Sequence, residues 1–464
     1  MYKRQLKGSL IAGIIGLAIV CVFMCWVYLL PGLASSLALI LYTELILILL
    51  NAFDITLTLP GIAGIILGIG MAVDANVIIF ARVKEELTAG KSVHASLKSG
   101  FQKAMSAIVD GNITTLIAAG VLWLRGSGTV KGFAQTLALG IVVSMFTALV
   151  ITRLIIFAFY GAGIHNEKVY GRHLKERKPV DFLGKKKIFF VISIILCLAG
   201  PVMMGVNHAR GIGAMNYSLD FVGGTSTNVT FDKEYTLEEI DSQMIPSLEE
   251  ITGDKNIQVQ TVKDSNQVVF KTQTLDLEKR EALASYLNEN YGVEASDIAT
   301  ENISSTVSSE MRRDAVIAVI IATICMLLYI WFRFKDIRFA TSAVVALMHD
   351  VLVVLGFYVI ARVSVGNTFI ACMLTIVGYS INGTIVIFDR IREALATKSR
   401  TEDLKDLVNR CITQTLTRTI YTNFTTFVMV VALYILGVSS IKEFAAPLMV
   451  GIICGGYTLS LIHI

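Results

Sequence analysis

Apolar residues come in long blocks separated by short polar stretches. The blocks fall near 9–29, 33–50, 60–80, 111–125 and 132–159, then 188–206, 314–332, 341–361, 367–388, 420–437 and 443–463. Nearly all approach the roughly 20 residues that carry an α-helix across a hydrocarbon core, with 111–125 the shortest. The pattern therefore predicts an all-α polytopic membrane protein with about eleven transmembrane helices. One long polar stretch, 207–313, stands apart. In it Thr227–Phe231, Ile257–Val262 and Val268–Thr272 alternate as strands, with a turn at Asp264-Ser265-Asn266. Thr236-Leu237-Glu238-Glu239 is a capping box opening a helix to about Glu250. Leu277–Tyr291 reads as a second helix and Ile298–Ile303 as a last strand. The order β-α-β-β-α-β predicts a small α+β domain of ferredoxin-like type. It holds no His, Cys or Ser cluster, so binding or force transmission is expected of it rather than catalysis.

Composition agrees. Of 464 residues, 54% are hydrophobic and 16% charged, against about 25% charged in soluble domains; mean hydropathy is +0.67. The first apolar segment is long and lacks an Ala-x-Ala exit, so it reads as a span and not a cleaved signal. None of the seven cysteines falls between 207 and 313, so no disulfide framework is available there. Basic residues gather in 81–104, 153–187 and 390–418, while 51–59, 361–366 and 437–442 hold at most one each. The positive-inside rule places the basic segments in the cytoplasm and 207–313 outside. The same count puts residue 1 outside, which predicts a further span ahead of it. The expected units are 1–160, a basic linker 161–187, a helix 188–206, the external domain 207–313, and 314–464.

The chain repeats itself. Gly70-Met71-Ala72-Val73-Asp74-Ala75-Asn76-Val77, continuing to Phe80, returns as Gly378-Tyr379-Ser380-Ile381-Asn382-Gly383-Thr384-Ile385, continuing to Phe388, at an offset of 308 (378 minus 70). Asn112-Ile113-Thr114-Thr115 returns as Asn423-Phe424-Thr425-Thr426, and Lys131-Gly132-Phe133-Ala134 as Lys442-Glu443-Phe444-Ala445, at an offset of 311 (423 minus 112). Two copies in the same direction make a parallel repeat, whose working sites belong near the midplane between the halves.

Polar residues inside the spans are the candidate chemistry. Asp74 lies deep in its span, where a carboxylate is costly unless it faces protein or water, and so marks a functional site before a packing one. Asn382, its repeat equivalent, can hydrogen-bond but carries no proton. His349 and Asp350 lie near the middle of 341–361, where a histidine titrates near neutrality or simply completes a structural bond. Asn76, Asn112 and Asn423 are expected to bridge helices. Glu44 belongs to no motif and reads as an inter-helix hydrogen bond. Arg418 stands where a basic loop is expected to enter the span near 420. Gly223-Gly224 reads as a turn; without a P-loop no ATP site is expected, and energy must come from an ion gradient or a partner.

Leu57-Thr58-Leu59-Pro60-Gly61-Ile62-Ala63-Gly64 with Ala72-Val73-Asp74-Ala75-Asn76-Val77, and Gly126-Ser127-Gly128-Thr129-Val130-Lys131-Gly132-Phe133-Ala134, resemble motifs of SecD. Leu219-Asp220-Phe221-Val222-Gly223-Gly224-Thr225, His349-Asp350-Val351, Asp389-Arg390-Ile391-Arg392-Glu393 and Gln414-Thr415-Leu416-Thr417-Arg418-Thr419 resemble SecF. The chain is thus identified as a member of the SecD/SecF family of protein-export membrane proteins, in the resistance-nodulation-division superfamily, with both parts fused and the first span and first external domain of SecD lacking. The resemblance implies a non-enzymatic, cofactor-free accessory of the Sec translocase in the bacterial cytoplasmic membrane, driven by the proton gradient. It implies the SecYEG translocon, SecA and YajC/YidC as partners, with unfolded preprotein outside, membrane lipids around it and no nucleic acid. It also implies a proton relay through Asp74 and Arg418, with Asp350 and His349 as further candidates. Gly383 departs from the acidic residue that SecF carries after the Asn, leaving Asp74 or Asp350 to titrate. A non-coupled scaffold and an exporter of lipids or small molecules are the rival readings.

Overall fold

A computed structural model of the protein describes residues 2–55, 58–126, 128–171, 179–254, 257–261, 266–335, 337–398, 402–437 and 439–458. The chain divides into a helical unit (1–215, 318–363 and 368–464) and a smaller unit (216–317 with 364–367). The first half of the helical unit runs α1 (Tyr2–Tyr28), α2 (Leu30–Ala52), α3 (Leu59–Thr88), α4 (Val93–Arg125) and α5 (Gly128–Phe146). One π-helical turn at Thr147–Ile151 joins α5 to α6 (Thr152–Gly161), and a short α7 (Glu167–Tyr170) and α8 (Lys186–Ala209) follow.

The smaller unit contains α9 (Leu219–Val222), β1 (Gly224–Thr230), α10 (Leu237–Gln243), α11 (Ile245–Thr252), β2 (Gln258–Thr261), β3 (Gln267–Thr272), α12 (Leu277–Tyr291) and β4 (Ile298–Ile303). Its sheet is antiparallel throughout, in the order β2-β3-β1-β4. With β3 slotted between β1 and β2, this is the expected ferredoxin-like arrangement. Val229 and Phe270 from the sheet meet Ile240, Leu248 and Leu283 from the helices in a buried core. The predicted first helix is two short ones, α10 and α11, broken ahead of Pro246. Thr236 and Glu239 cap α10 reciprocally: the Glu239 amide donates to Thr236 Oγ1, and the Thr236 amide to Glu239 Oε2 at 2.8 Å. Gly223 and Gly224 hold φ of 80° and 125°, a turn closed to side chains with a Cβ. Of the predicted turn after β2, Asp264 and Ser265 lie outside the described residues, as do Leu57, Ser127, the basic stretch 172–178 and the end of the last span.

The chain then continues through α13 (Ser305–Phe334), α14 (Ile337–Ile360), α15 (Asn367–Ala396), α16 (Leu404–Leu436) and α17 (Ser439–Thr458). Among the described residues ten helices are long and apolar enough to cross a membrane. The eleventh expected span is α17, whose described part carries Lys442 and Glu443 in its first turns. In α3 and α15, 89% of the apolar window is buried, against 11–56% elsewhere, so these two repeat equivalents form the centre. Outer faces present large apolar side chains such as Trp26, Ile195 and Phe332, as a lipid-facing surface requires.

Two expectations need correcting. The basic segments 81–104 and 390–418 are not loops: α3 and α15 run on into them, to Thr88 and Ala396, and α4 and α16 begin inside them, at Val93 and Leu404. The charges pair along and between helices, as Arg82 does with Glu85 and Arg390 with Glu393, so the polar sequence stays helical. The weak span 111–125 is accordingly the second half of a helix of 33 residues. The short stretch before α8 is anchored to α16: the Phe182 and Leu183 amides donate to Asn409 Oδ1, and Val180 N to Thr413 Oγ1.

Candidate functional site

Helix α3 starts where Thr58 Oγ1 accepts the Gly61 amide and Pro60 fills the first turn. Asp74 then lies 15 residues on (74 minus 59), at mid-helix on an almost wholly buried element. Glycines bring the neighbouring helices close. A Cβ on Gly70 would stand 3.1 Å from the Thr426 Cα of α16, and one on Gly378 would stand 3.3 Å from the Thr115 Cα of α4. These contacts are repeat equivalents (378 minus 70 is 308; 426 minus 115 is 311). Each half thus packs its central helix on the fourth helix of the other, and Asp74 lies at that crossing.

Asp74 is 7% exposed and fully engaged. Its Oδ2 accepts Asn382 Nδ2 at 2.6 Å, and its Oδ1 accepts Thr422 Oγ1 at 2.9 Å. Asn382 can reach across because Gly111 faces it: a Cβ at 111 would lie 1.9 Å from Asn382 Oδ1. The position equivalent to Gly111 in the other half is Thr422 (111 plus 311). The halves therefore differ at two paired places, and both differences point hydrogen-bond donors at the single carboxylate. Asn423 Oδ1 accepts the Tyr379 hydroxyl at 2.9 Å, tying α16 to α15 beside it.

Arg418, expected where a basic loop enters its span, stands well inside a helix instead. It lies 14 residues into α16 (418 minus 404), and its Nη2 is buried with no hydrogen-bond partner among the described residues. With Asp74, Asn382, Gly383 and Thr422 it lines a cavity of about 30 Å³, room for a water molecule or two. A carboxylate and a guanidinium facing one small polar cavity in a membrane can hold and pass a proton, because a change of charge on one alters the field at the other. Gly383 lines the same space.

A second buried carboxylate adjoins the first. Asp350 of α14 is fully buried; its Oδ2 accepts Ser380 Oγ at 2.5 Å, and its Oδ1 accepts Cys454 Sγ at 3.1 Å and the Thr458 hydroxyl. His349 Nδ1 lies 3.1 Å from the same Oδ1, while its Nε2 is buried with no hydrogen-bond partner among the described residues. Ser380 also lines the Asp74 cavity, so one serine on α15 separates the two carboxylate sites. His349, Asp350 and Cys454 place one N, one O and one S donor within 4.8 Å, a set a zinc ion accepts. Here the same atoms already form one hydrogen-bonded group.

The remaining candidates divide. Asn382 and Asn423 bridge helices, but Asn112 Nδ2 donates at 2.8 Å to Ile108 O of its own helix, and Asn76 Nδ2 reaches only Ala72 O at 3.5 Å. Both spend their amide on the local backbone, as short polar side chains in helices do. Glu44 lies on the exposed face of α2 with no inter-helix hydrogen bond among the described residues. Sequence reading missed Asp110, whose Oδ2 accepts Arg333 Nε at 2.7 Å and whose Oδ1 accepts the Tyr329 hydroxyl at 2.9 Å. It stood one residue outside the apolar block 111–125, and a carboxylate at that edge was the available signal.

The family model described as protein export membrane protein SecD/SecF, C-terminal, matches residues 3–161 and 283–463. The protein translocase subunit SecDF of Bacillus subtilis is 36% identical over 98% of this chain and 63% of its own length. The protein translocase subunit SecF of Petrotoga mobilis is 34% identical over 60% of this chain and 92% of its own. A crystal structure of SecDF from Thermus thermophilus, titled a translocon-associated membrane protein, superposes with a TM-score of 0.88 at 34% identity, over 99% of this chain and 62% of that one. The chain thus spans about three-fifths of the length of the SecDF proteins it matches.

Proposed function

The chain belongs to the SecD/SecF family of protein-export membrane proteins, and from that premise we propose that it is an accessory subunit of the Sec translocase driven by the proton gradient. The observation that carries the reading is Asp74: one carboxylate sealed at the crossing of the two repeats, facing Arg418 across a water-sized cavity. Ionised, it draws in Asn382 from α15 and Thr422 from α16, and so clamps three helices of both halves together. Protonated, it offers a weaker acceptor and frees Arg418 from its counter-charge, which loosens the clamp. Proton uptake and release thereby bias two packings of one repeat against the other. Asp350 with His349 is the second candidate for the relay in this reading, reached through Ser380. Motion of the helical repeats would be felt by the external domain, expected over 207–313, which holds exported chain on the outer side. The SecYEG translocon, with SecA and YajC/YidC, is the partner that the family premise supports.

The test is export of a secreted reporter in cells lacking their own SecD and SecF, supplied with the full-length protein as wild type or as Asp74→Asn. Rescue by wild type alone, at equal protein level and lost when the proton gradient is collapsed with ATP held constant, is the expected result. Equal rescue by both would leave a scaffold.

A further inference from the structure

The repeat offset equates Arg82 with Arg390 and Glu85 with Glu393 (both differ by 308). These four residues meet where α3 and α15 run on past the apolar core, at the end that the charge pattern assigns to the cytoplasm. Within each helix the pair is at i,i+3: Arg82 Nη1 to Glu85 Oε2 is 3.0 Å, and Arg390 Nη1 to Glu393 Oε2 is 3.0 Å. Between the helices Arg82 Nη2 lies 3.1 Å from Glu393 Oε2, and Arg390 Nη1 lies 3.6 Å from Glu85 Oε2. The result is a closed ring of alternating charge with the symmetry of the repeat. Its innermost member, Arg82, has a side chain only 9% exposed.

The ring lies directly on the route from the carboxylate site. A second cavity, of about 20 Å³, is lined by Arg82, Glu85, Arg390 and Gln414 on one side and by Val386 and Arg418 on the other. Val386 and Arg418 also line the Asp74 cavity, so two polar spaces share one wall and the ring closes the outer of them. Along α3, eight residues from Asp74 to Arg82 span about 12 Å.

We propose that this four-charge ring is the inner gate of the ion path, shut as seen here and opened by parting α3 from α15. The inference rests on the proton-coupled reading above. The ring suits gating because its contacts are of two kinds. Parting the helices breaks the two inter-helix bridges of the ring and the longer Arg82 Nη2–Asp389 Oδ2 contact of 3.9 Å, but leaves each arginine with the glutamate of its own helix and Asp389 with Arg392. No charge is stranded without a partner, and stranding one is what makes most buried ion pairs hard to break. The closed and open forms are thus two arrangements of the same pairs, as a bistable element requires.

The experiment reverses charge by helix, in inside-out membrane vesicles holding the full-length protein. A Val386→Cys probe is read by the rate at which a permanently charged methanethiosulfonate reagent modifies residue 386, located by peptide mass spectrometry. Arg390→Glu with Glu393→Arg preserves net charge and the pair within α15, but sets like charges across both inter-helix contacts. Modification is expected to quicken at least tenfold. Adding Arg82→Glu and Glu85→Arg, with Asp389→Asn carried in every protein so that its 3.9 Å approach to residue 82 adds no charge, restores the four contacts of the ring with their signs exchanged, and should return the rate to within about twofold of the start. If the half-reversed protein reacts no faster, or the fully reversed one stays fast, the gate is refuted. Should half-reversal fail to reach the membrane, Glu85→Gln with Glu393→Gln replaces it, with a threefold to tenfold rise expected and no rise refuting. Proton leak in the same vesicles separates this inference from its premise. Faster labelling with a leak that Asp74→Asn abolishes supports both. Faster labelling without such a leak leaves the gate standing and overturns the proton reading.

Discussion

Replacing Gly111 by alanine should pull apart the contact that makes the two halves unequal. The new Cβ would lie 1.9 Å from Asn382 Oδ1 and 2.8 Å from its Cγ, so the amide must turn away and its Nδ2 must leave Asp74 Oδ2. Losing a hydrogen bond to a charged acceptor costs roughly 1.5–3 kcal/mol. Alanine for glycine inside a helix returns about 0.5–1 kcal/mol. The expected net loss is therefore about 1–2 kcal/mol. Asn382→Ala alone forfeits the same bond and should cost roughly 1.5–3 kcal/mol. In the double variant nothing is left to clash, so it should be no less stable than Asn382→Ala and about 0.5–1 kcal/mol better through the helix term. Independent effects would instead sum to roughly 2.5–5 kcal/mol. Unfolding of the four proteins by denaturant in micelles decides between these, with the cycle read from midpoints at constant slope. Additivity, or an alanine at 111 that costs nothing, would show that Gly111 is not what lets Asn382 reach Asp74.

Two further perturbations address the scaffold. Gly70→Val and Gly378→Val each press a side chain on a neighbouring backbone, at 3.1 Å from Thr426 Cα and 3.3 Å from Thr115 Cα, and each should cost about 1–3 kcal/mol by overpacking; one severe and one neutral outcome in micelle unfolding would break the equivalence of the two crossings. In the smaller unit, the Thr236 amide and hydroxyl donate to Glu239 and hold its carboxyl below the ordinary 4.5. A lowered folded value means that the cap contributes fully above that ordinary value and is lost as pH falls through the lower one. Amide protection across 237–243 should therefore fall as pH is lowered below the ordinary 4.5 in wild type and much less in Thr236→Ala; equal falls in both would exclude the cap.

The repeat, the central carboxylate and the domain topology were legible in the sequence, because each rests on a periodic or local signal. The motif at Gly70–Phe80 copies itself at Gly378–Phe388, and the capping box at Thr236 declares its own helix. Helix ends within the helical unit were not legible. Hydropathy reports where a chain meets lipid, and α3, α4, α15 and α16 continue beyond that point because their charges pair along the helix. Arg418 was misplaced for the same reason: its neighbours are polar, yet the helix carries it inward to the Asp74 cavity. The partners of Asp74 were hidden more deeply. That Thr422 and Gly111 are equivalent is simple arithmetic, but that the first donates and the second makes room depends on which helices cross.

That exchange of residues at equivalent places recurs. Asp74 stands opposite Asn382, Thr422 opposite Gly111, Asp350 opposite Tyr42 (350 minus 308), and Asp110 opposite Tyr421 (110 plus 311). At each of these three acidic positions one half keeps a carboxylate and the other a neutral group. Two carboxylates meeting at a repeat crossing could not both ionise, and would share their charge without distinguishing the halves. One carboxylate with neutral donors around it places the whole change of charge on a single helix crossing. The backbone around that crossing is close to symmetric, as the matched contacts of Gly70 and Gly378 show, so two packings of similar energy are available to it. A protein of this design needs asymmetric charge to choose between packings and a symmetric scaffold to make the choice cheap. The alternating ring of Arg82, Glu85, Arg390 and Glu393 meets the second need at the end of the path, since its pairs survive whichever packing prevails.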